Sequence, residues 1–177
     1  MGIDDFYESP NLVKCFPPII DEHSEILILG SAPGHLSLAR REYYSNPTNH
    51  FWALIRMLYH DDQPFKSYED KVACLKRSHI ALWDVLHTCW RKGSKDANIR
   101  NPESNDIGRL LRKYPNIKKI VLNGTNAEKY FYSSYPLSIP VLTAPSTSAG
   151  NDVIKDKRFR HYIFNWAFFE WEKCLEE

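Results

Sequence analysis

The sequence is short of several things, and each shortage removes a class of function. It has no apolar run long enough to cross a membrane, and its N-terminus carries no basic, apolar, small-residue leader. The expectation is therefore the cytoplasm of a cell without a nucleus, with no membrane partner. Cysteines are few: Cys15, Cys74, Cys89 and Cys174, with no C-x-x-C spacing. That argues against zinc and iron–sulfur sites and for buried free thiols. Charge of one sign is also scarce, the net being only +1. Total charge thus does not announce nucleic acid, and only local stripes such as Arg40-Arg41, Arg91-Lys92 and Lys155 through Arg160 could meet phosphates; Lys118-Lys119 reads as a solvated face. No G-x-G-x-x-G follows the first apolar run, which argues against a dinucleotide enzyme. Repeats, low-complexity tracts and linkers are missing too, so one domain over residues 1–177 is expected.

What remains is 43% hydrophobic and 25% charged, the balance of a globular chain able to bury a core. Its organising stretch runs from Gly30-Ser31-Ala32-Pro33-Gly34 to His50-Phe51-Trp52. The apolar run Glu25 to Leu29 before it reads as a buried parallel strand. Further strands are expected at His79 to Trp83, Lys119 to Leu122 and Pro140 to Thr143. Between them lie helical patterns: one beginning near Asn49, one over Tyr68 to Lys76, one capped by Ser104 or Asn105 and ending at Arg112, and one over Thr125 to Tyr132. A final aromatic-rich helix is expected over about 155–175, and residues 1–24 read as irregular. This alternation predicts an α/β fold, a three-layer α/β/α domain around a central four-stranded parallel sheet. Polar segments starting at Gly30, Asp84 and Ala144 then follow the carboxyl ends of strands and face one edge of the sheet, where open α/β sheets take ligands. The segment over 84–103 is long for a connector, which hints at function.

These segments hold distinct tools. Gly30 to Gly34 can bring main-chain N–H groups to a base edge or an anionic oxygen. Tyr43 and Tyr44 offer faces for stacking beside the amides of Asn46 and Asn49. Ser146, Thr147 and Ser148 are three successive hydroxyls, suited to phosphate or equally to a capped turn.

The run G-S-A-P-G-H-x-S-L followed by Y-Y-x-x-P-x-N-x-F-W resembles the uracil-DNA glycosylase superfamily, and more narrowly its hypoxanthine-DNA (deoxyinosine) glycosylase branch. Ala81-Leu82-Trp83-Asp84-Val85-Leu86 with Cys89, Arg91 and Gly93-Ser94, then Asn123-Gly124, then Pro145-Ser146-Thr147-Ser148, agree with that branch in order over about 25–152. The resemblance implies a monofunctional DNA N-glycosylase, acting as a monomer. It would flip a deaminated base, hypoxanthine or uracil, out of DNA and hydrolyse its N-glycosidic bond, starting base excision repair. It implies no metal and no organic cofactor.

The resemblance also assigns residues. Asn49 matches the branch's catalytic asparagine and would orient the water, while also able to cap a helix. Gly30, Ser31, Ala32, Pro33 and Gly34 would line the base pocket. Tyr44 would stack on the base, with Tyr43 as second choice. Trp83 and Asp84 fall where relatives place a base-reading amide. Asp84 would accept from the base N–H, or simply cap its loop. Asn123 would face the pocket or hold the Asn-Gly turn, and Ser146, Thr147 and Ser148 would meet DNA phosphate. The chain departs from many relatives in having Ala32 instead of a first-loop Asp, and Ala144 where others have a base-polarising His. Backbone N–H groups of the first loop are left to serve as the electrophile. After Ser148 comes Ala149-Gly150-Asn151-Asp152, where relatives tend to have proline, so this loop brings no bulky wedge. Two other readings remain: a non-catalytic DNA-binding module on the same fold, and a nucleoside or nucleotide N-glycosidase acting on monomers.

Overall fold

The computed structural model describes residues 11–132 and 138–148. Four parallel strands form the central sheet: β2 (Ile26–Gly30), β3 (Ile80–Asp84), β6 (Lys119–Asn123) and β7 (Val141–Ala144), in the order β3-β2-β6-β7. All five residues of β2 are buried, as a strand covered on both faces requires. Alternate β2 side chains serve two cores, because strand side chains point to opposite faces. Ile26 and Ile28 pack with Phe51, Leu54, Ile55 and Leu75 on one side; Leu27 and Leu29 pack with Ile107, Ala127 and Phe131 on the other. The expected three-layer α/β/α fold is what the chain forms.

The first core is covered by α2 (Phe51–Tyr59) and α3 (Tyr68–Arg77), the second by α4 (Ile107–Lys113) and α5 (Thr125–Tyr132). Local chemistry sets the helix ends. The Ser67 hydroxyl accepts from Asp70 N–H at 3.1 Å, with Glu69 and Asp70 in the first turn of α3 and Lys76 and Arg77 in its last. Helix α4 is capped by Asp106, whose Oδ1 accepts from Arg109 N–H at 2.8 Å, rather than by Ser104 or Asn105. Asn105 is instead buried, and its Nδ2 donates to the carbonyls of Asp84 and Leu86 at 2.8 and 2.9 Å. A short helix, α1 (His35–Arg40), interrupts the organising stretch.

Two expectations are corrected by a second sheet. Strand β1 (Asn11–Lys14) pairs antiparallel with β4 (Leu86–Arg91), which pairs with β5 (Arg100–Ser104). The N-terminal stretch is thus partly strand, and 84–103 is mostly a hairpin rather than a free loop. Leu86, Cys89 and Arg91 turn inward along β4, over a small core with Val13 and Ile99. Cys74 and Cys89 are buried free thiols and Cys15 is a half-buried one. No helix among the described residues is long and apolar enough to cross a membrane. The expected helix over 155–175, Cys174 and the Ala149-Gly150-Asn151-Asp152 departure lie outside the described residues.

Candidate active site

The chain leaves β2 toward β3 and later returns across it to β6, so the sheet order reverses between β2 and β6. At such a switch point the flanking connections run to opposite faces and leave a crevice at the strands' carboxyl ends. A cavity of about 530 Å³ lies there. Its walls come from the Gly30–Gly34 loop after β2, Asp84 at the end of β3, Asn123 and Gly124 after β6, and Ser146 to Ser148 after β7. Asn49 joins them from the approach to α2, and Ser94 to Asp96 join from the β4–β5 turn. A second hollow of similar size is mostly apolar, lined by Phe16, Pro17, Ile19 and Tyr68, and meets these residues only at Tyr43.

Backbone ties bring the distant pieces together. The His50 N–H donates to the Thr147 carbonyl at 2.9 Å, pinning the start of α2 to the loop after β7. That bond puts Asn49 and Ser146 on one cavity wall. Gly124 has φ +97°, and a Cβ there would lie 2.7 Å from Ser146 Cβ, so only glycine lets the two loops meet. Gly30 is equally constrained: a Cβ would fall 2.6 Å from Asp84 Oδ1 and 2.8 Å from Tyr44 Oη.

Asn49 Oδ1 accepts from the Phe51 N–H at 2.9 Å, one residue ahead of the N-cap of α2, which is His50 rather than Asn49. Its Nδ2 has no protein partner among the described residues, leaving the amide able to hold a water. Tyr44 sits at φ +53°, a left-handed conformation rare for a bulky residue. Phe51, fully buried, stacks on one face of its ring at 4.2 Å between centroids. Tyr44 is also one of the residues lining the cavity. Asn123 Nδ2 donates to Tyr44 Oη at 3.0 Å, fixing the ring's far edge.

Asp84 is 3% exposed, and its Oδ2 is buried with no hydrogen-bond partner among the described residues. An orphan acceptor of this kind is costly unless a ligand satisfies it. Burial foremost, and Asp96 next, push its carboxyl up to about 7, against a smaller downward pull from Arg91. Beneath the first loop lies Arg91, 2% exposed and absent from the cavity wall, so the Arg91-Lys92 pair is not a surface stripe. Arg91 Nη2 donates to the Pro33 carbonyl and Nε to the Gly93 carbonyl at 3.0 Å. Nη1 faces Asp96 Oδ1 at 3.5 Å, and Asp96 Oδ2 accepts from the Ser31 hydroxyl at 2.5 Å.

Several sequence expectations change. Trp83 does not line the cavity; as the neighbour of Asp84 on a strand it points to the opposite face, where its Nε1 donates to the Phe16 carbonyl at 2.9 Å. Tyr43 touches the cavity but is 4% exposed, with Phe16 edge-on at 5.3 Å and its hydroxyl on the Pro17 carbonyl at 3.0 Å; it belongs to the core. Burial, then Asp84, drives its phenol far above the usual range. Thr147 is fully buried, with its N–H, hydroxyl and carbonyl all engaged, so it is not available to phosphate. Asn123 faces the cavity, yet its two amide hydrogens are spent on Tyr44 and Thr147. Gly30 to Gly34, Tyr44, Asn49, Asp84, Ser146 and Ser148 do meet around the hollow. Asp96 and Lys95 were missed, since a polar turn within a long polar segment carries no periodic signal. His35 is exposed, as the first residue of α1 rather than part of a turn.

The uracil DNA glycosylase superfamily model matches residues 17–169. The chain belongs to this superfamily. It is 37% identical over 136 residues to the hypoxanthine DNA glycosylase of Methanosarcina acetivorans, covering 77% of this chain and 86% of that protein. Against the hypoxanthine DNA glycosylase of Methanosarcina barkeri it is 40% identical over 115 residues, 65% of this chain and 73% of the other. Among solved structures it is similar to the solution NMR structure of a candidate uracil DNA glycosylase from Methanosarcina acetivorans. That match has a TM-score of 0.74 and 32% identity, covering 90% of this chain and 99% of that one. In this superfamily member Ala32 of the first loop packs toward the small-sheet core. Ala144, where others carry His, is buried at the end of β7.

Proposed function

We propose that this glycosylase-superfamily chain removes hypoxanthine, and secondarily uracil, from DNA by hydrolysing the N-glycosidic bond. The carrying observation is the convergence, at one crevice, of an aromatic ring, a buried carboxyl and an amide whose Nδ2 has no partner among the described residues: Tyr44, Asp84 and Asn49. Each suits one part of the task. The target base must leave the stack, because its C1′–N bond is unreachable inside a duplex. In the crevice it stacks on the Tyr44 ring, which lines the cavity. The Asp84 carboxyl, which lines the cavity, accepts the ring N–H that deamination creates beside a carbonyl, at N1 of hypoxanthine or N3 of uracil. Adenine and cytosine present a lone pair at that position, and a site built around an acceptor rejects them.

Hydrolysis then proceeds through an oxocarbenium-like sugar. The C1′–N bond breaks with its electron pair leaving on the base. A water held by the Asn49 amide adds its oxygen to C1′ and loses a proton to solvent, and the departing base takes up a proton. An amide is a weak base, so Asn49 orients the water more than it activates it, and turnover is slow. First-loop N–H groups receive the charge growing on the base. Ser146 and Ser148, at the mouth of the crevice, suit contacts to the flanking phosphates. The same reading has the chain act as a monomer on DNA in the cytoplasm.

The test is base release from oligonucleotides carrying one deoxyinosine or one deoxyuridine, alongside free deoxyinosine. Release of hypoxanthine from DNA and not from the nucleoside is expected. No free base from either oligonucleotide at excess protein would overturn the assignment. Salt-dependent DNA binding without release would favour a binding module instead.

A further inference from the structure

We propose that Arg91 is a positioning residue for leaving-group stabilisation: it locks the Pro33–Gly34 peptide so that the Gly34 N–H faces the cavity and receives the charge developing on the departing base. The inference rests on the glycosylase reading above and names the part that does the work of the missing histidine.

The Arg91 side chain is 1% exposed and lies behind the first loop, outside the cavity wall. Its Nη2 holds the Pro33 carbonyl. The Pro33–Gly34 peptide is trans, because the described residues contain no cis bond. In a trans peptide the carbonyl and the N–H point in opposite directions. A carbonyl drawn back onto Arg91 therefore turns the Gly34 N–H forward, and Pro33 and Gly34 both line the cavity. That N–H has no acceptor among the described residues, whereas the next one, of His35, is taken by Ser94 Oγ at 2.8 Å. An unpartnered donor thus lies at the same hollow that Asp84 lines.

The guanidinium also acts on the donor's strength. A cation bonded to a peptide oxygen polarises the peptide, and cooperative polarisation makes its N–H a better donor. Arg91 is held in turn by the Gly93 carbonyl and by Asp96, which also clamps the Ser31 hydroxyl. The planar fork is needed, because Nη2 and Nε hold the Pro33 and Gly93 carbonyls at once while Nη1 lies at ion-pair distance from Asp96; a lysine ammonium on a flexible stem does not reproduce that fork.

The experiment compares wild type with Arg91→Lys in single-turnover release of hypoxanthine and of 2-fluorohypoxanthine, whose anion is the better leaving group. If Arg91 acts on the leaving group, Arg91→Lys slows hypoxanthine release about 10- to 100-fold, slows the fluorinated base much less, and leaves DNA affinity unchanged. Equal slowing of both bases, or no slowing, overturns the proposal. Gly34→Pro is the second variant should Arg91→Lys fail to fold. It deletes the N–H at a residue whose φ of −73° suits proline, and an added Cβ there meets only ordinary contacts with Ser94. It should raise the same leaving-group dependence with Arg91 intact, and a ratio equal to wild type overturns the proposal. A wild type that releases no hypoxanthine sinks the glycosylase reading and this inference with it; an active wild type with an unchanged ratio in the variants sinks the inference alone.

Discussion

Asn123 and Thr147, 24 residues apart in sequence, hold each other by two reciprocal hydrogen bonds: Asn123 Nδ2 donates to Thr147 Oγ1 at 2.9 Å, and the Thr147 N–H donates to Asn123 Oδ1 at 3.0 Å. The pair welds the loop after β6 to the loop after β7, and through Tyr44 it also fixes the stacking face. Asn123→Ala would leave a buried Thr147 N–H without an acceptor, at a cost of about 1–3 kcal/mol. The urea midpoint should fall accordingly, and base release should drop with it because Tyr44 loses its anchor. An Asn123→Ala protein with unchanged midpoint and release would show that the weld is incidental.

Asn49 carries two roles that a pair of substitutions can separate. Asn49→Ser keeps a good helix-start acceptor but shortens the side chain, so stability should hold while hypoxanthine release falls about 100-fold. Asn49→Ala should lose release and also about 1 kcal/mol of stability. Thermal melting and single-turnover release, measured on both variants, decide it. Full release by Asn49→Ser would reduce the residue to a cap.

Asp84 gives a pH signature with opposite signs in stability and activity. Its folded carboxyl is raised to about 7, above the ordinary 3.8. Between those values the folded chain keeps a proton that the unfolded chain has lost. Stability from this group is therefore full below about pH 4, falls as pH rises to about 7, and stays lower above, by about 4 kcal/mol at most. Asp84→Asn should raise the denaturation midpoint at pH 8 and change it little at pH 4. Hypoxanthine release should climb through pH 7, as Asp84 becomes the stronger acceptor, and that limb should vanish in Asp84→Asn.

Tyr44 offers a direct reading of stacking. Tyr44→Phe keeps the ring against Phe51 and removes the hydroxyl that Asn123 holds, so a small loss in affinity for deoxyinosine DNA is expected. Tyr44→Ala removes the face and should weaken binding by about 1–3 kcal/mol. Titration with a non-cleavable deoxyinosine analogue measures both; equal affinities would move the base to another wall.

The parts legible in the sequence are those that periodicity controls. The buried run through Ile26 to Leu29 and the apolar spacing of Phe51, Leu54, Ile55 and Leu58 can be read without coordinates, and so can the cavity's position at the strand ends. Helix α1 was hidden because six residues leave no room for an apolar stripe to repeat. The β4–β5 hairpin was hidden because its inward positions include an arginine: Arg91 reads as surface, and only the fold shows the carbonyls that hold it. The resemblance points to Trp83 and Asp84 together, yet neighbours on a strand share no face, so only Asp84 reaches the cavity.

At Gly30 the cavity's parts share a single point of contact, with a carboxyl oxygen and a phenol hydroxyl both resting where a methyl group would be. A recognition pocket assembled this way is not modular. Enlarging it for a bulkier lesion by changing Asp84 or Tyr44 singly leaves the other side chain over a gap, so altered preference should emerge from paired exchanges, and libraries randomising both positions together should succeed where single-site scans stall.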